Sequence, residues 1–235
     1  MRKILLILLV LGLSACSAPL EDGISDPFEA SNRKAHQFNK SLDKKVVRPI
    51  AILYGDNTPM KVQSAVNNIS TNFSLPGHSI NYILQGKIKS ASKSSLKFFV
   101  NSTLGVAGVY DASSRLGLST EKTDFGETMA RWGLSEGPYL DILVLGPSNQ
   151  RDGVGRIVDI IFDPIGLIGA GPKSVAALTS IGLGLSARSQ FRESIDSILY
   201  ESTDSYAQSR LFFLQNRRYL LGTNQTQPYI DPYNC

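Results

Sequence analysis

Gly133-Leu-Ser135-Glu-Gly137 fits the G-x-S-x-G pattern that presents a nucleophilic serine. That chemistry needs a strand before the serine, a helix after it, and a base histidine later in the chain. Pro138 follows the motif at once, and the two histidines, His36 and His78, both precede it. Ser135 therefore stays only as an alternative, the nucleophile of a lipid esterase. Gly166 to Ser174 (GLIGAGPKS) comes near a phosphate-binding loop, but Pro172 separates the last glycine from Lys173 and removes a backbone donor from the cradle. Gly182-Leu-Gly184-Leu-Ser-Ala187 fits G-x-G-x-x-A with no strand–helix–strand pattern around it, so close helix packing is its expected use. The histidines lie far apart, without a cysteine or carboxylate cluster at ligand spacing. The expectation is a protein without catalytic residue, metal site or cofactor.

Cys16 invites a covalent modification. Met1-Arg2-Lys3 is basic, Ile4 to Leu13 is an apolar run of ten residues, and Leu13-Ser14-Ala15-Cys16 follows. This reads as a secretory leader, too short to span a bilayer. Small residues before a cysteine resemble a bacterial lipobox. That likeness implies cleavage before Cys16 and acylation of its sulfur and nitrogen, with Ser17 favouring the outer membrane. Several acyl chains, at about 0.8 kcal/mol per buried CH₂, make a firm anchor. Cys235 then has no partner within the chain and is a free or intermolecular thiol. Lys and Arg number 24 against 20 Asp and Glu. With Arg2 and Lys3 lost in the leader, no concentrated basic surface for nucleic acid is expected.

The expected organisation is a leader over 1–15, a lipidated tether over 16–25, one helical domain over 26–222 and a loosely ordered Gln/Asn/Pro-rich tail over 223–235. Asp26-Pro27-Phe28-Glu29 reads as a helix start, with Asp as cap and Pro in the first turn, and the helix stops near Asp43. A second short helix ends at Gly55. Pro59 opens a third, and Pro76 a fourth that stops at Gly86. Lys87 to Leu104 is the clearest amphipathic helix. Lys89, Lys93 and Lys97 line one side, and Ile88, Ala91, Ser92, Phe99 and Thr103 another. It is either a core helix with a solvated lysine row or a helix lying in a membrane interface. Gln150 to Phe162 is helical, Ile165 to Ala187 is apolar and broken at Pro172, and Ser189 to Leu221 holds one or two helices. No stretch of the mature chain reaches the ~20 apolar residues of a spanning helix.

Asn101 to Asp152 organises the rest. Its centre is the apolar run Tyr139 to Leu145, which carries one charge, Asp141, and is flanked by Gly137-Pro138 and Gly146-Pro147. Such a run is a buried connector or an apolar hairpin able to sit in lipid. In the second case the glycines allow it to move, as a gate formed by Gly137, Pro138, Tyr139, Leu143, Gly146 and Pro147.

Together these stretches resemble the VacJ/MlaA family of outer-membrane phospholipid-transport lipoproteins. The residues that carry the likeness are Asp26-Pro27-Phe28-Glu29, Asn32-Arg33, Phe38-Asn39, Arg48-Pro49, Leu84-Gln85-Gly86, Phe99 with Asn101 to Gly105, Asp124-Phe125-Gly126, Gly137-Pro138-Tyr139, Leu145 to Ser148 and Arg151-Asp152. Leu143, where the family pattern has Pro, and the short tail depart from it. The resemblance implies an all-α fold: a single ring-like helical domain with a short apolar hairpin, seated in one leaflet of the outer membrane. It implies an amphipathic channel through which misplaced phospholipids leave the outer leaflet, with Asn32, Phe38, Asn39, Arg151 and Asp152 as channel or lipid contacts. It also implies a trimeric porin as holder and a soluble periplasmic lipid carrier as recipient. The alternative is an envelope scaffold with no conduit of its own.

Overall fold

The computed structural model describes residues 24–222. The expected leader, lipidated Cys16, most of the tether, the tail and Cys235 lie outside the described residues. Chain order runs α1 (Glu29–Leu42), a π-helical turn (Asp43–Val47), α2 (Arg48–Asn57), α3 (Met60–Leu84), α4 (Ile88–Thr103) and the single-turn α5 (Ala112–Arg115). It continues through α6 (Phe125–Arg131), strands β1 (Tyr139–Ile142) and β2 (Gly146–Asn149), α7 (Gln150–Ile161) and α8 (Pro164–Ile168). Last come α9 (Ala170–Gln190), α10 (Arg192–Asp196), a second π-helical turn (Ser197–Glu201) and α11 (Ser205–Leu220).

Helix starts follow local chemistry. Asp124 caps α6 by accepting from the Glu127 N–H, Asn149 caps α7 through the Asp152 N–H, and Asp204 caps α11. The expected cap of α1 does otherwise. Phe28 holds the cap position, and the Asp26 carboxylate accepts from Asn32, Arg210 and Tyr206 instead. Longer-range donors outcompete the local amide. The break expected at Pro76 is also absent, because α3 runs through it as one helix. Contacts to α9 and α4 hold α3 across the missing hydrogen bond. Nor does Gly55 end α2; a side chain there would collide with Ser189 of α9, so the glycine permits a close crossing.

The packing closes a circuit. In order, α1 packs on β1, β1 on α7, α7 on α6, α6 on α3, α3 on α9, α9 on α2, and α2 returns through the π turn to α1. Among the described residues, opposite arcs of the circuit, such as α1 and α3 or α2 and α7, share no substantial packing. This is the expected ring. Close approaches set its radius: a Cβ on Gly155 of α7 would strike the backbone of Gly126 in α6.

Burial is inverted relative to an ordinary domain. Among the described residues, nine apolar residues are buried against twenty-two polar or charged ones, while thirty-four large apolar residues are exposed. Small polar pairs sew α3 to its neighbours: Asn67 to Ser186, Ser70 to Ser180 and Asn81 to Asp159. In α4 only Ala91 of the expected apolar side is buried, while Ile88, Ser92, Phe99 and Thr103 are exposed; the buried stripe is Ala91, Ser94, Lys97 and Asn101. The lysine row splits too, since Lys97 is buried 3.5 Å from Asp111 while Lys89 and Lys93 are exposed. No described helix is long and apolar enough to cross a membrane.

Helix α11 braces the ring from one side. Its Arg217 guanidinium donates to Asp124 at 2.6 and 2.9 Å and to Asp152 at 2.8 and 3.1 Å, so one cation ties the first turns of α6 and α7 together. Burial pushes the Asp124 carboxyl up, but the hydrogen bonds and charge of Arg217 outweigh it and hold the group below its ordinary value. Its contribution is therefore present at neutral pH and fades as the pH falls through that lowered value. Arg217→Met should cost about 3 kcal/mol, because it takes one of two guanidinium partners from the buried Asp152 carboxylate and the only one from Asp124 among the described residues. Denaturant unfolding of the purified variant checks this, and a loss under about 1 kcal/mol would show that the fork is dispensable.

Candidate functional site

The apolar run forms a β-hairpin. Tyr139 pairs with Asn149 and Ile142 with Gly146, in antiparallel register. Its base is buried, with Tyr139, Asp141, Ser148 and Asn149 all inside. Its tip is not: Leu143, Val144 and Leu145 are 57, 69 and 56% exposed. The run is thus a hairpin whose base is buried and whose apolar tip is exposed. Val144 has φ +69° and Gly146 φ +74°. A left-handed conformation costs a β-branched residue about 1–2 kcal/mol, so something must hold Val144 there.

The holder is one face of α1. Asn32, His36 and Asn39 recur at helical spacing and point at the hairpin. The Asn32 amide donates to the Tyr139 carbonyl (3.0 Å) and Asp26 (2.9 Å) and accepts from the Asp141 N–H (3.0 Å). The Asn39 amide donates to Asp141 Oδ1 (2.8 Å) and the Ile142 carbonyl (2.9 Å) and accepts from the Val144 N–H at 2.7 Å. Two amides therefore fill the hydrogen-bonding edge of β1 as a partner strand would. The Ser25 carbonyl adds a further bond, to the Tyr139 N–H. Phe38 points elsewhere and is half exposed.

Arg151 and Asp152 lie beneath the other end of the hairpin, both buried. The Asp152 carboxylate accepts from Asn149, Arg151 and Arg217. Arg151 reaches the Leu134 carbonyl, and its N–H meets the Glu136 carbonyl, which fixes the segment leading into β1. Gly137 has φ +67°, and a Cβ there would collide with the Gln150 side chain. Gly137, Pro138 and Tyr139 thus form a fixed root, while Leu143 belongs to the exposed tip; Gly146 and Pro147 begin the return strand. Ser135 is exposed in the loop after α6, without the strand–turn–helix setting of a nucleophile elbow.

Two clefts adjoin this assembly. One, of about 400 Å³, is lined by His36, Asn39 and Asp141 together with Ile195, Ile198 and Phe212. The second, about 700 Å³, is walled by Phe73, Ile80, Leu84, Phe125, Trp132 and Phe162, and His78 and Asp159 also line it. Burial pushes His78 down to about 4, so it is neutral at neutral pH, and it raises the Asp159 carboxyl. Among the described residues, no group of three or more His, Cys, Asp or Glu could hold a metal ion.

Sequence reasoning missed Asp26, Tyr206, Arg210 and Arg217 as parts of this assembly. Asp26 and Tyr206 stand 180 positions apart, and no local pattern marks such a pair.

The MlaA lipoprotein family model matches residues 24–220. A protein of Rickettsia felis is 37% identical over 57% of this chain and 54% of its own length, so the chain spans about half of that relative. The intermembrane phospholipid transport system lipoprotein MlaA of Escherichia coli K12 is 29% identical over 93% of this chain and 87% of its own. A solved structure, described as the structural basis for maintenance of bacterial outer membrane lipid asymmetry, superposes with a TM-score of 0.72 at 27% identity. It covers 84% of this chain and 99% of that one.

Asn39→Ala should free the tip while the base stays bound by Asn32. Amide exchange at Val144 should accelerate by about tenfold, the equivalent of one to two hydrogen bonds, with Asp141 protected as before. Unchanged protection at Val144 would mean that the clamp does not hold the tip.

Proposed function

Since the chain belongs to the MlaA lipoprotein family, we propose that it is a lipid-anchored conduit in the outer membrane of a Gram-negative cell. In this reading it takes misplaced phospholipids from the outer leaflet and passes them to a soluble periplasmic carrier. The observation that carries the reading is the inverted polarity of the ring. Exposed Leu53, Phe99, Ile160, Phe162, Leu178 and Phe212 form an exterior that water would not tolerate and acyl chains would. A ring whose described helices hold no spanning segment suits one leaflet, and in this reading a polar inner side offers a head group a path that bulk hydrocarbon denies it. Movement from a disfavoured leaflet needs a route and no cofactor. A trimeric porin is the proposed holder of the ring.

The hairpin tip is the proposed gate. Leu143, Val144 and Leu145 project from a root fixed by Arg151, Asp152 and Asn32, so the tip can move without unfolding the base. Phe38, beside Asn39 on α1, is the proposed lipid contact on the outer side.

Leu143→Arg tests this. A charge on a lipid-facing tip costs on the order of 2–3 kcal/mol, yet the position touches little of the folded chain. In cells lacking the native protein, the variant should leave surface-exposed phospholipid near the level of the deletion. The melting temperature of the purified variant should stay within about 2 °C of wild type. Full restoration of lipid asymmetry by the variant would favour a scaffold with no conduit. A matching fall in melting temperature would make the tip ordinary core.

A further inference from the structure

We propose that Ser205, His36 and Asp141 form a serine esterase site for the acyl esters of amphiphiles, an activity separate from conduction. Three elements deliver the groups: β1 the Asp141 carboxylate, α1 the His36 imidazole, and the first residue of α11 the hydroxyl. Ser205 Oγ lies 3.0 Å from His36 Nε2. On the far side of the ring, His36 Nδ1 lies 3.4 Å from Asp141 Oδ2. The other oxygen of Asp141 is occupied by the Asn39 amide, while Oδ2 accepts no hydrogen bond within the described chain and faces the imidazole. The imidazole is also set by the Tyr206 ring, edge to face at 5.7 Å. The His36 and Asp141 side chains are 6 and 0% exposed, so the carboxylate faces the imidazole in a buried setting, with no hydrogen bond between them. A nucleophile in hydrogen-bond reach of a base, with a carboxylate facing that base, is the arrangement such chemistry draws on, in whatever chain order the groups arise.

Two further features fit an ester. Lys40, one turn beyond His36, places Nζ 3.2 Å from Ser205 Oγ, where its charge can receive a developing oxyanion. His36, Lys40 and Asp141 share the lining of the 400 Å³ cleft with the apolar Ile198, Leu199 and Phe212, which suit an acyl chain; Ser205 is not itself in that lining and meets it through its bonds to His36 and Lys40. Ser205 also sits at the amino end of the sixteen-residue α11, whose dipole favours negative charge at that oxygen.

The step balances without a cofactor. Ser205 Oγ bonds to the ester carbonyl carbon and gives its proton to His36 Nε2, while Asp141 stabilises the imidazolium. The carbon–oxygen bond to the alcohol then breaks, and His36 returns the proton to that alcohol. Water adds to the acyl-serine with His36 as base, releasing a fatty acid and restoring the hydroxyl. The histidines precede Ser135 in sequence and cannot form the downstream base expected for that motif; Ser205, which follows His36 by 169 positions, uses it through space.

The test uses the full-length protein in detergent, with a fluorophosphonate probe and p-nitrophenyl octanoate. The expected result is stoichiometric labelling of the peptide containing Ser205, together with ester turnover. Turnover should fall at least about 100-fold in Ser205→Ala and in His36→Gln, with restoration of lipid asymmetry by Ser205→Ala unchanged. Ser205→Ala lies outside the proposed conduit, so loss of turnover with intact asymmetry separates this activity from transport. Folded wild-type protein that takes no label at Ser205, or that turns over ester no faster than Ser205→Ala, would overturn the proposal.

Discussion

Two side-chain amides close the ring. Asn32 and Asn39 of α1 satisfy the backbone of β1, and β1 is the link through which α1 reaches α7 in the packing circuit. A backbone N–H or carbonyl left without a partner in apolar surroundings costs several kcal/mol, so this link cannot be loosened cheaply. The Asn39 amide also holds Val144 in its left-handed conformation. Strain at the tip and closure of the ring are therefore one mechanical problem, solved on one helix face. The exposed apolar tip can change conformation only by giving up bonds to Asn39, and the base keeps its own bonds to Asn32 when it does.

The remaining architecture keeps that face in place. Arg217 joins the amino ends of α6 and α7, and Arg210 with Tyr206 draws Asp26 under the start of α1. Arg188 does comparable work at the opposite side, bridging Asp43 and Asp196. Buried ion pairs of this kind rarely add much net stability over apolar packing, yet breaking one is costly. They suit a molecule whose apolar residues are committed to its exterior. With few apolar side chains inside, geometry must be set by directional bonds between Arg, Asp and Asn.

Much of this was legible in the sequence, for local reasons. The Gly-Pro pairs bound the hairpin, Asp124 caps α6 and helical periodicity locates α4 and α7. The ordered short motifs from Asp26 to Asp159 point to the family that the comparison identifies. Other features could not be read. An amphipathic period shows that a stripe exists but not whether it faces the core or the surface, and here Ile88 and Phe99 lie outside while Lys97 lies within. Pro76 reads as a boundary because the flanking contacts that carry α3 through it come from α4 and α9. Asp26 reads as a cap because Arg210 and Tyr206, its true partners, lie far along the chain. The Ser205–His36–Asp141 constellation had no signal at all, since it joins three elements that only the ring brings together.

The central claim is that the apolar exterior of the ring is dissolved in acyl chains. Nitroxide labels at Phe99, Ile160 and Leu143, one at a time in lipid nanodiscs, measure this through relaxation by oxygen and by a polar nickel chelate. The account predicts that oxygen, which concentrates in hydrocarbon, dominates at all three positions, whereas a label at exposed Lys93 serves as the polar reference. Chelate access at Phe99 and Ile160 equal to that at Lys93 would place these helices in water and contradict the account.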